Sequence, residues 1–181
     1  DMGTFFFSFI GRNLTDTKAL FQEFYGDVYD YEYFRKQASV WFHNYIEQKG
    51  LPVKNGVREI LDFLRAGGYD IGLASSTSRP SVEGHLERAG IREYFRSLTT
   101  GDMVEHSKPC PDIYLMACKS LGVEPARALA IEDSPNGIRA AHSAGMIPVM
   151  VPDLIAPDQE MREKSVLICR DLLEVMRFLD R

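Results

Sequence analysis

The chain has 181 residues, 45% of them hydrophobic and 26% charged, and a formal net charge of −5. That length suits one domain plus a modest appendage, and a composition this close to globular averages excludes disordered and fibrous classes. An acidic balance with no block of Lys or Arg offers no electrostatic footprint for nucleic acid or an anionic membrane, so small-molecule chemistry is the favoured class.

In chain order, only helical signals precede the break at Leu51 to Asn55, where Pro52 and then Gly56 interrupt the pattern. One helix is predicted over Thr15 to Phe24, closed by Gly26, and a second over Asp30 to Lys49, closed by Gly50. In the second, Tyr33, Phe34, Ala38, Trp41, Phe42 and Tyr45 recur at three- and four-residue steps and mark one wide apolar face. Such a face needs a partner, and Trp41 is expected in the core of a small helical module covering residues 1–52. From residue 53 to 181 short apolar runs alternate with helices, the pattern of crossover units on a parallel sheet. Strands are expected at Tyr69 to Ser75, Ser97 to Thr99, Ala128 to Ile131, Ile147 to Val151 and Val166 to Ile168. Helices are expected at Val57 to Ala66, Ser81 to Ala89, Asp112 to Leu121, Gly137 to Ala144 and Leu172 to Leu179. In open parallel sheets ligands bind beyond the carboxyl ends of the strands, so chemistry is sought there.

Three strand ends are polar in a specific way. Ala74-Ser75-Ser76-Thr77-Ser78 runs an apolar strand into hydroxyls, which with the backbone N–H groups of a loop can hold phosphate oxygens; a Ser-rich turn capping the next helix is the plain alternative. In Ser107-Lys108-Pro109-Cys110-Pro111-Asp112 the prolines keep Lys108 out of the helix and display it at the helix entrance, where its ammonium would neutralise a phosphate. In Ile131-Glu132-Asp133-Ser134-Pro135-Asn136-Gly137 two adjacent carboxylates are costly to crowd together without a cation, and hard oxygen ligands of this kind suit Mg²⁺. The plain alternative is a turn with a helix cap at Asn136.

No histidine has metal-ligand spacing, although His106 stands two residues before Lys108 and is a candidate for the pocket wall. Cys110, Cys118 and Cys169 are an odd set with no CxxC spacing, which fits reduced thiols and a cytoplasmic setting. No apolar run approaches the roughly 18 residues needed to span a bilayer, and no basic segment followed by an apolar one opens the chain.

Hydroxyl after strand, then KPxPD, then a strand ending in EDS-x-xG followed by IRAAHSAGM, resembles the second, third and fourth motifs of the haloacid dehalogenase superfamily over about Val53 to Leu179. IGRNLTDTKALFQEFYG and the helix after it look like the helical cap of the β-phosphoglucomutase-like and phosphoglycolate phosphatase-like branch. The resemblance implies a Rossmann-like α/β core with a small helical cap and a Mg²⁺-dependent phosphatase acting on a small phosphorylated metabolite through an aspartyl-phosphate. It implies that Ser75 bonds the transferring phosphoryl group with Ser76 beside it, that Lys108 bridges nucleophile and phosphate, and that Asp133 with Glu132 binds magnesium. Arg12 and Asn13 would face the substrate from the cap.

The superfamily's first motif, DxDGT, departs most. Asp1-Met2-Gly3-Thr4 imitates part of it, but no apolar strand precedes Asp1 and the second aspartate is absent, so Asp1 is read as cap sequence without a catalytic role. An upstream segment bearing the nucleophile strand is therefore expected, and the strands ending at Ser75 and Glu132 are expected not to pair with each other. The alternatives are a β-phosphoglucomutase, disfavoured because Leu14 stands where that branch has a cap arginine, and a fragment that only binds a phosphorylated ligand.

Overall fold

The computed structural model describes residues 9–180, so Asp1 and its motif-like neighbours lie outside the described residues. Among the described residues two helices come first, α1 over Leu14–Tyr25 and α2 over Tyr31–Lys49. Both are capped by short polar side chains that take otherwise orphaned backbone donors. Asn13 accepts from Asp16 N in α1, and Asp30 accepts from Glu32 N and Tyr33 N in α2. The expected apolar face of α2 exists but is not covered: of its 19 residues only Tyr31 and Ile46 are buried, and Trp41 is 67% exposed. Trp41 is therefore not core, because α2 meets α1 mainly through its first turn, where Phe34 stacks on Phe21 and Tyr31 packs against it at a tilt.

The strand-bearing region follows as α3 (Val57–Ala66), β1 (Gly72–Ser75), α4 (Arg79–Ala89), β2 (Ser97–Thr100), α5 (Asp112–Leu121), β3 (Leu129–Glu132), α6 (Pro135–Ser143), β4 (Ile147–Met150), α7 (Gln159–Lys164), β5 (Leu167–Ile168) and α8 (Leu172–Leu179). β1 is shorter than the apolar run suggested, because Tyr69 N turns back to Leu64 O and the strand begins only at Gly72. α6 begins two residues earlier than expected: Ser134 is its cap, accepting from Gly137 N, and Pro135 occupies the first turn, where its missing N–H costs nothing.

All pairings are parallel, but they form two sheets, β1-β2 and β3-β4-β5. Among the described residues β1 and β3 do not pair. Helices bind the two sheets into one body. Strand side chains alternate between faces, so Ala74 of β1 and Ala130 of β3 join Ile113, Tyr114, Ala140 and Ala141 of α5 and α6 on one side. On the other side α3 straddles the gap, with Ile60 packed toward Val149 and Val175 and Leu61 packed toward Val82 and Leu98. This α/β layering of parallel strands between helices points the carboxyl ends of β1 and β3 the same way.

Candidate active site

Between those two strand ends lies a cavity of about 440 Å³. Leu73, Ala74, Ser75, Ser76 and Thr77 line it from β1 and its loop, Ile131 to Ser134 from β3, and Lys108 from the entrance to α5. The structure therefore brings Ser75, Ser76, Lys108, Glu132 and Asp133 to one crevice.

Lys108 is the best-anchored member. Its residue is 5% exposed, its ammonium pairs with Glu132 Oε1, and it lies 5.0 Å from the centre of the Tyr114 ring. Glu132 is equally enclosed, and both of its oxygens are engaged. Oε1 also accepts from Tyr114 Oη at 2.8 Å, while Oε2 accepts from Asp133 N, Ser134 N and Ser134 Oγ at 3.0, 3.1 and 3.0 Å. Burial pushes the Glu132 carboxyl up, but the Lys108 charge and the hydrogen bonds from Lys108, Tyr114 and Ser134 together outweigh it and hold the group below its ordinary value. Gly137 is required beside it, since a Cβ there would sit 1.9 Å from the Glu132 carboxyl carbon. The glycine in EDS-x-xG thus makes room for the carboxylate. Tyr114, pressed against the same charge, has its phenol pushed far up by burial and by Glu132.

Asp133 behaves differently. Its side chain is exposed and opens onto the cavity. Loss of hydration in the recess, then the neighbouring Glu132 charge, raise its pKa, while Lys54 on the same wall pulls it down. Of the two adjacent carboxylates, one is saturated by protein donors and the other is free to meet a cation. No group of three or more His, Cys, Asp or Glu fit to hold a metal occurs among the described residues. The donor set still fits Mg²⁺, which keeps several waters and takes one or two carboxylates together with substrate phosphate. Asp133 would hold the ion and Glu132 would orient Lys108.

On the opposite wall, Ser75 Oγ accepts from Thr77 N at 3.2 Å, a local turn at the strand end. Ser76 Oγ donates to Gly11 O at 2.6 Å, and Gly101 lets the loop close in, since a Cβ there would lie 2.1 Å from Ser76 O.

From the segment before α1, Ile10 and Gly11 line the cavity, whereas Arg12 and Asn13 do not. Asn13 is buried because its carboxamide is committed to capping α1. His106 is exposed and pairs with Asp112 Oδ1 at 3.0 Å; that hydrogen bond and charge raise its pKa and turn it away from the pocket wall. Sequence reasoning passed over Lys54, which no motif singles out, and Tyr114. The tyrosine could have been found as the residue facing Glu132 from the first turn of the helix that Lys108 introduces.

Residues 9–145 match the haloacid dehalogenase-like hydrolases. The chain belongs to that family. Among its curated relatives in the family, YhcW of Bacillus subtilis is 47% identical over 100 residues, covering 55% of this chain and 46% of that protein. The phosphorylated carbohydrates phosphatase of Thermotoga maritima is 38% identical over 91 residues, covering 50% and 42%. The chain thus spans just under half the length of these two relatives. Among solved structures, a HAD phosphatase from Thermococcus onnurineus superposes with a TM-score of 0.69 at 27% identity, covering 98% of this chain and 78% of that one.

Proposed function

We propose that the chain belongs to a Mg²⁺-dependent phosphatase for small phosphorylated carbohydrates. The observation that carries this reading is the convergence of Ser75, Lys108 and Asp133 on one cavity at the carboxyl ends of two parallel sheets. The name of the Thermotoga maritima relative supports the substrate class. Residues 53–181 act as the core, and residues 1–52 act as a partial helical cap, supported by Ile10 and Gly11 reaching the cavity.

In this reading an aspartate carboxylate takes the phosphoryl group from the sugar oxygen, which picks up a proton and leaves as the free hydroxyl, and water then cleaves the aspartyl-phosphate, regenerating the carboxylate and releasing inorganic phosphate. Lys108 stabilises the charge that grows on the phosphoryl oxygens, and Ser75 with the loop N–H groups fixes their orientation. Magnesium held by Asp133 would supply charge neutralisation at the same oxygens. Glu132 keeps the Lys108 ammonium aimed into the crevice. The free thiols Cys110, Cys118 and Cys169 are consistent with a reducing, cytoplasmic setting.

The test is phosphate release from a panel of phosphorylated carbohydrates across a magnesium titration, in the full protein. Asp133→Asn should weaken magnesium binding and cut turnover by about two orders of magnitude or more, because a neutral isostere replaces the carboxylate. Lys108→Ala should slow turnover comparably. Parental rates in both variants would place the chemistry elsewhere.

A further inference from the structure

Three strand-end loops reach back to one short stretch, 10–16. Asn136 Nδ2 donates to Ile10 O at 3.0 Å, Ser76 Oγ donates to Gly11 O at 2.6 Å, and Ser107 donates to Asp16 Oδ2 through both its backbone N–H, at 3.3 Å, and its hydroxyl. The third link bears on chemistry, because Ser107 is the residue immediately before Lys108 and both are buried.

Asp16 is unusually well placed to hold that loop. Its own backbone is fixed in the first turn of α1, where its N–H donates to the Asn13 cap at 2.9 Å. One carboxylate oxygen then takes two donors from a residue 91 positions away. Bonds to an ionised acceptor are roughly twice as strong as neutral ones. Lys108 extends from the clamped position into the cavity, where its ammonium meets Glu132. An ammonium on a four-carbon stem is only as well aimed as the backbone it leaves, and errors of about 1 Å at a phosphoryl site are costly.

We propose that Asp16 is a positioning residue for Lys108: by clamping Ser107 it ties α1 to the lysine loop and sets where the ammonium stands. This rests on the phosphate-site reading above. Asp16 does not line the cavity, so it acts through Ser107 rather than on a ligand.

The experiment titrates inorganic phosphate, in the presence of magnesium, into the full protein and its variants, followed by ³¹P NMR. Asp16→Ala should weaken phosphate binding by about tenfold, in line with the loss of charge-assisted hydrogen bonds. Asp16→Asn, which keeps an acceptor oxygen, should recover most of that loss, and Ser107→Ala, which keeps the backbone bond, should fall between. Parental phosphate affinity in Asp16→Ala overturns the proposal, as does Asp16→Asn binding no better than Asp16→Ala. Should Asp16→Ala fail to fold, the Asp16→Asn and Ser107→Ala pair carries the same test against the parent. Absence of phosphate binding by the parent would instead strike the phosphate-site reading. The clamp is then judged on the Lys108 Cε–H cross-peak, which should move in Asp16→Ala and return in Asp16→Asn, and which by staying put would overturn it.

Discussion

The helices before residue 50 and the strand-bearing region after Gly56 obey the same local rules and end in opposite packing states. Asn13 and Asp30 cap α1 and α2 as Ser134 and Asp171 cap α6 and α8. Apolar residues recur at helical spacing in both regions. Yet α5 and α6 each bury four residues against strands, while the longer α2 leaves Trp41, Tyr33 and Phe34 exposed. Capping and periodicity make a helix; a facing layer makes a core, and stability follows the layer. The polar groups divide likewise, since Glu132 of the buried Lys108–Glu132 pair also accepts from Tyr114, Asp133 and Ser134, whereas the Lys18–Glu32 pair of α1 and α2 stands in solvent.

Removing one partner of the buried pair should break the comparison most strongly. Glu132→Gln leaves the Lys108 ammonium without its counter-charge and is expected to cost about 3–5 kcal/mol, read from urea unfolding. The folded-state pKa of Glu132 is lowered, so its contribution is complete above the unfolded carboxyl value of about 4.3 and is lost as pH falls through the lower folded value. The gap between parent and variant should therefore be constant near neutrality and narrow in acid; a gap that widens in acid would mean the carboxyl is held neutral.

Ile113→Ala in α5, at 1% exposure, should cost about 3 kcal/mol through lost burial and the cavity left behind. Asn13→Ala should cost about 1 kcal/mol by orphaning the donor of Asp16, measured by thermal unfolding. Trp41→Ala should shift stability by no more than about 0.5 kcal/mol, because exposed side chains lose little on truncation. A larger Trp41 effect would show that α2 has a facing layer after all.

Much of the site was legible in the sequence because each motif carries its own backbone instruction. Two prolines display Lys108, an apolar strand delivers Glu132 and Asp133 to a sheet mouth, and Gly137 clears space beside Glu132. The alternation of short apolar runs with helices after Gly56 also announced the parallel α/β layering, since such runs have few other ways to bury both strand faces. The fate of each side chain was not legible. Glu132 and Asp133 are neighbours with the same chemistry in sequence, and only the fold turns one into a buried partner of Lys108 and Tyr114 and leaves the other open to a cation. Asn13 reads as a substrate contact or a solvated loop residue, and only the fold commits its carboxamide to capping α1. The link from Asp16 to Ser107 spans 91 positions, a distance no local pattern encodes. Periodicity and turn chemistry act within a few residues and so are written in the chain, whereas burial, pairing and pKa depend on what the tertiary fold brings alongside.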